Sequence, residues 1–176
     1  MKIDKIRFIE PCTHVSERKR ISPRNPSLNL LTLTTAAKSR VPDTMMYSEC
    51  ISAIRWDDVL SSDVIFIEIP TPAPECAFSA AEYVRENSNA MIVVFGIYAC
   101  LNFTETLRYC DYILLGECDD SILTFLDALK FDRPMKFEGL AYFANGKFVH
   151  TGSHRPPTRL ERVPDRQLLY NYRKLA

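Results

Sequence analysis

The chain has 176 residues, 47% of them hydrophobic, which suits one domain of ordinary size with some additional length and supplies enough apolar side chains for a sizeable core. Lys plus Arg and Asp plus Glu both number 22, so net charge draws the chain neither to nucleic acid nor to an acidic membrane. Disorder throughout is excluded.

The first strand is expected at Lys5 to Glu10, KIRFIE, ending at Pro11. The charged, proline-broken run ERKRISPR from Glu17 to Arg24 reads as an exposed loop. Pro26-Ser27 then opens a helix, with Ser27 as its cap, Leu28, Leu31 and Ala36 among its apolar residues, and an end near Arg40. Thr44 to Ser48 is a short second strand. Ile51 to Leu60 is an amphipathic crossover carrying Trp56 beside Asp57 and Asp58. Asp63 to Ile69, DVIFIEI, is the nearly continuous apolar run of a strand covered on both faces, with Glu68 its one exception. Pro70 ends it, and a proline-rich turn at Thr71 and Pro72 leads into a helix with Phe78, Ala81 and Val84 on one face.

Ile92 to Phe95 and Tyr112 to Leu115 are two further strands, each stopping at a glycine, Gly96 and Gly116, that precedes a helical pattern. Asp119 or Asp120 caps the last helix, whose apolar face holds Ile122, Leu123, Phe125, Leu126 and Leu129 and which closes near Lys130. Asn145-Gly146, between Gly139 to Phe143 and Lys147 to His150, is a hairpin signal. From Lys147 onward seven basic residues face two acidic ones. This Pro-containing tail has too few apolar residues for a core of its own, yet carries Leu168, Leu169, Tyr170 and Tyr172, which suggests a segment cut off from something it packs on.

The alternation predicts an α/β fold: a flavodoxin-like, doubly wound, parallel five-stranded sheet in the order 2-1-3-4-5, with a C-terminal β-hairpin extending an edge. Residues 1–133 form the Rossmann-like unit, 134–152 the hairpin and 153–176 a linker. In such sheets the ligand crevice lies at the carboxyl ends of the strands. Its walls here are expected to be residues 11–16, 70–75, 96–102 and 116–119.

The chemistries common on this fold find few footholds. No G-x-G-x-x-G or Walker loop occurs, and Ile69-Pro70 stands where a phosphoreceiver needs an aspartate. Thr13 and Ser16 supply hydroxyls for a mononucleotide phosphate, but their loop has no glycine. His14 near Cys12, and His150 near His154, give no complete zinc set, and His150 and His154 read as surface residues. Six cysteines without a C-x-x-C pair read as reduced thiols, Cys12 after the first strand being the one to watch. Glu117, Asp119 and Asp120 are accounted for by the start of a helix. No run of about 18 apolar residues and no signal peptide is present, so a cytoplasmic protein with neither membrane nor nucleic-acid partner is expected. The residues themselves describe a binding module.

The order of segments resembles the N-terminal cobalamin (vitamin B12)-binding domain that precedes the catalytic barrel in many radical S-adenosylmethionine enzymes, of the anaerobic cyclase or methyltransferase type. PSLNLLTLTTA (Pro26 to Ala36) is similar to the family's first-helix pattern P-x-L-G-L-L-x-L-A, with Asn29 at the glycine. IEIPTPAPECAFSAAEYVR is similar to its third-strand turn. The stretch through Val94, Phe95, Gly96, Ile97, Tyr98 and Ala99 resembles V-x-G-G-P-H-A, and Gly116-Glu117-Cys118-Asp119 resembles G-E-G-E. GLAYFANGKFVH resembles the hairpin leaving that domain, and VPDRQLL the linker before the barrel. Phe95, Tyr98 and Cys118 replace two glycines and a histidine, which predicts a narrower crevice.

The resemblance implies cobalamin bound by Cys12, Thr13, Thr71, Pro72, Gly96, Ile97, Tyr98, Ala99, Gly116 and Glu117, with the cobalt as the metal. No D-x-H-x-x-G histidine ligand is present, and no residue of this chain is catalytic. The C-x-x-x-C-x-x-C of the iron–sulfur cluster is also absent. Cluster and S-adenosylmethionine therefore belong to a missing catalytic barrel, a partner in cis or in trans. The alternatives are a degenerate scaffold or docking domain of the same descent, and a small flavin- or thiol-dependent enzyme using Cys12.

Overall fold

The computed structural model describes residues 2–11, 25–152 and 163–175. In chain order it has β1 (Lys5–Glu10), α1 (Leu28–Lys38), β2 (Asp43–Ser48), α2 (Trp56–Leu60), β3 (Val64–Glu68), α3 (Pro74–Asn87), β4 (Met91–Phe95), α4 (Ile97–Leu101), α5 (Phe103–Thr106), β5 (Tyr112–Leu114), α6 (Ser121–Lys130), β6 (Leu140–Ala144) and β7 (Lys147–His150). The strands form one sheet in the order β2-β1-β3-β4-β5-β6-β7. The first five are parallel in the expected order, and β6 and β7 add antiparallel. The sheet thus has seven strands rather than five. The hairpin joins the same sheet because β5 would otherwise leave its outer backbone groups open as an edge.

Alternation along each strand divides the core into two layers. Ile6 and Phe8 of β1, Val64 and Phe66 of β3 and Phe95 of β4 face α1 and α6, where Leu30, Leu33, Phe125 and Leu126 meet them. Ile9, Ile65, Ile67, Ile92 and Val94 face α2, α3 and α4. Ser27 caps α1, its hydroxyl accepting from Leu30 N at 3.1 Å, as expected. Asp120 occupies the cap position of α6 but makes no side-chain capping bond. Asn145 and Gly146 both take positive φ, the conformation a two-residue hairpin turn requires.

Two features complete the packing, and the second departs from the sequence reading. Arg7, in the middle of β1, is buried, and its Nε and Nη2 reach Asp58 of α2 at 2.6 and 3.1 Å. Nη1 pairs with Asp43 at 2.8 Å. The tail also packs on this chain itself. Leu168 and Leu169 are buried in the layer under α1, Tyr170 N donates to Met46 O at 2.9 Å, and the Tyr170 ring lies 5.0 Å from that of Tyr47. It covers the outer edge of β2, which explains leucines and tyrosines in an otherwise basic segment.

Candidate functional site

The carboxyl ends of the parallel strands gather most of the expected residues. Gly96 leaves β4 at φ 115°, and a Cβ there would stand 2.9 Å from Ile69 O. Glycine is therefore required by the close passage of β4 beside the end of β3. Gly116 leaves β5 at φ 73°, and its N–H donates to Cys100 Sγ of α4 at 3.4 Å. That contact joins the loops after β4 and β5. Ile97 and Glu117 are exposed on these loops, as are Thr71 and Pro72 after β3, whereas Ala99 is buried beneath. Cys12 and Thr13, together with His14, Ser16 and His154, lie outside the described residues.

Two of the three replaced motif positions turn their bulk inward. Phe95 is buried in the layer shared with Phe66 and Phe125. Cys118 is buried in the same layer and directs its Sγ to Gly116 O at 3.2 Å. Tyr98 packs edge-on against Phe78 of α3 and donates its hydroxyl to Glu105 of α5 at 2.8 Å. Phe95 and Cys118 thus fill space in the core layer below the loops, while Tyr98 keeps its hydroxyl at the surface and Ile97, Gly116 and Glu117 lie more open above. Three aliphatic side chains are exposed at this end of the sheet: Leu28 (64%) at the start of α1, and Ile97 (69%) and Leu101 (74%) on α4 after Gly96. An apolar rim with flat glycine positions suits a broad, flat ligand lying over the edge.

Sequence reasoning missed the carboxylates at its centre. Glu10 ends β1 and Glu68 ends β3, neighbours across the point where the strand order reverses. Glu10 Oε1 accepts from Ser27 N at 2.8 Å, and Glu68 Oε1 from Ser27 Oγ at 3.1 Å. Both are half-buried, and among the described residues neither has an ion pair. Burial raises the Glu68 carboxyl to about 7, with neighbouring Glu10 adding to the effect against the bond from Ser27. Burial raises Glu10 as well. The available signal was a charged residue closing each of two adjacent apolar strands.

Other candidates have ordinary roles. His150 is exposed, its ring 5.6 Å from Phe103, and its Nδ1 accepts from Gly152 N. Cys110 and Cys118 are buried and their thiols pushed up by burial, while Cys50, Cys76 and Cys100 are half-buried. Among the described residues no group of three or more His, Cys, Asp or Glu is placed to hold a metal ion, and no helix is long and apolar enough to cross a membrane.

No protein-family model matches the chain, and neither does any curated protein. Solved structures do match in fold. The cobalamin-dependent S-adenosylmethionine radical enzyme OxsB, with aqua-cobalamin bound, superposes with a TM-score of 0.73 at 15% identity, covering 88% of this chain and 23% of its own. The radical S-adenosylmethionine methyltransferase TsrM from Kitasatospora setae, with cobalamin and a [4Fe-4S] cluster bound, superposes at 0.66 and 15% identity, covering 92% of this chain and 31% of its own. The chain therefore shares the fold of part of these enzymes and spans a quarter to a third of their length.

Proposed function

We propose that this chain is a cobalamin-binding domain of the kind found in radical S-adenosylmethionine enzymes, taking the corrin over the carboxyl edge of its sheet without a D-x-H-x-x-G histidine. The observation that carries the reading is the exposure of Ile97 and Leu101 on α4, directly after Gly96, and of Leu28 at the start of α1, all at the carboxyl ends of the strands, on a fold that OxsB and TsrM share. Residues Gly96, Ile97, Gly116 and Glu117 would meet the ring from two loops, Thr71 and Pro72 from a third, with Cys12 and Thr13 from the first. Tyr98 and Ala99 support the second loop from beneath. When bound, the corrin supplies a cobalt centre that carries an alkyl group or an electron. The chain's own part is to bind and orient it and to shield one face from water.

On this reading residues 1–133 are the cofactor unit, 134–152 its hairpin and 153–176 a connection toward a catalytic barrel, in cis or in trans, that holds the iron–sulfur cluster and S-adenosylmethionine. A cytoplasmic location goes with it. A second reading, a scaffold of the same descent that no longer takes a corrin, is favoured by the filling of the space under the loops by Phe95 and Cys118. Hydrogen exchange with and without hydroxocobalamin separates the two. The first reading requires protection at residues 96–101 and 116–119, lost in Ile97→Glu. The second is supported if exchange there is the same in both samples.

A further inference from the structure

The switch point between β1 and β3 holds an unmet hydrogen-bonding demand of a specific kind. Glu10 Oε2 is buried and lacks a donor among the described residues. Ser48, directly across from Glu10 in register and 1% exposed, has a buried hydroxyl with no partner among them either. The hydroxyl lies close enough to oppose part of the rise that burial imposes on the Glu10 carboxyl, yet neither oxygen makes a well-formed hydrogen bond. Glu68 stands beside them, with only its Oε1 bonded, to Ser27, among the described residues. The groups facing this place are therefore Glu10 from β1, Ser48 from β2, Glu68 from β3 and the Ser27 cap of α1. No described lysine, arginine or histidine pairs with either carboxylate.

A carboxylate oxygen needs a donor and a serine hydroxyl needs an acceptor. An ammonium or a metal ion supplies no acceptor for the hydroxyl. A primary amide supplies both, its N–H to the carboxylates and its carbonyl to the hydroxyl. We propose that Glu10, Glu68 and Ser48 form a receptor for a primary amide arm of the ligand, and that its binding drives a proton off the carboxylate pair. The inference rests on the cobalamin reading, since the corrin periphery carries such amide arms. The proton leaves because an N–H bond to an ionised carboxylate is about twice as strong as one to a neutral carboxyl. The proton passes to solvent and no covalent bond to carbon changes.

The test is equilibrium binding of cyanocobalamin, whose own groups do not titrate near neutral pH, to the wild-type chain, Glu68→Gln and Ser48→Ala. A carboxyl titrating at about 7 is roughly a tenth ionised at pH 6 and nine-tenths ionised at pH 8. Wild-type affinity is therefore expected to rise about tenfold over that range, with proton release seen in weakly buffered solution. Glu68→Gln is expected to bind with a flat pH profile, and Ser48→Ala to bind several-fold more weakly at both pH values. Wild-type binding without proton release or pH dependence, and unchanged in Ser48→Ala, would overturn the amide receptor and leave the cofactor reading standing; the two orphan oxygens then satisfy each other. Wild-type protein that takes up no corrin at either pH removes both. Proton release is read on the wild-type chain, so a variant that fails to fold leaves the proposal exposed to refutation.

Discussion

Replacing Glu68 by glutamine should make the protein more stable above neutral pH and leave it unchanged in acid. The side chain ends β3 half-buried beside Glu10, its carboxyl raised from 4.5 to about 7 chiefly by burial. A raised carboxyl binds its proton more tightly folded than unfolded, so stability falls as the pH climbs from about 4.5 through 7. Each factor of ten in proton affinity is worth about 1.4 kcal/mol, which makes the full cost about 3 kcal/mol at pH 8. Glutamine keeps an acceptor for Ser27 Oγ and carries no proton to lose. Urea unfolding of both proteins between pH 5 and 8 measures the difference. It should be about 1 kcal/mol at pH 5 and grow to about 3 kcal/mol at pH 8 in favour of the variant. A gap that stays constant across the range would mean that Glu68 ionises normally, and the reasoning about its burial would fall.

Three further outcomes follow from the packing. Asp58→Ala leaves the buried Arg7 guanidinium without its two-pronged partner and should cost about 3 kcal/mol in urea unfolding. The Arg7 pairing also holds the Asp58 carboxyl well below its usual range, so its contribution should disappear as the pH drops below that range, and the variant's unfolding should lack this acid dependence. Leu169→Ala should cost about 2–5 kcal/mol because the tail leucine is buried against the sheet; a silent substitution would show that the tail is not part of the folded unit. Gly96→Ala meets Ile69 O at 2.9 Å on a left-handed backbone, and a drop in unfolding midpoint equivalent to at least about 1–3 kcal/mol is expected from the strain alone.

Most of the parallel sheet was legible from continuous apolar runs such as Val64 to Ile67, broken by Pro70 or Gly96, whereas β2, with Thr44 and Ser48 among its residues, gave a weak signal. The hairpin was legible from Asn145-Gly146. Its place at an edge of the parallel sheet was expected too, and β6 takes it by pairing antiparallel with β5. The tail was misread. Leu168 and Leu169 look homeless in sequence, and only the open edge of β2, more than a hundred residues earlier, explains them. Within the candidate site, the glycines were found from their position after apolar runs. The bulk at Phe95 and Cys118 was read as facing the crevice, because side-chain direction at a strand end depends on where the layers above and below stop. Glu10 and Glu68 were passed over singly. Their meaning comes from adjacency across β1 and β3, which is a property of strand order and not of either segment.

The central claim, that the carboxyl edge takes a corrin, is tested most directly by the visible spectrum of the wild-type chain after incubation with hydroxocobalamin and removal of the unbound excess. The account predicts a retained corrin spectrum at close to one equivalent per chain. Protein that emerges colourless, and stays so in Tyr98→Gly and Cys118→Gly, would contradict it.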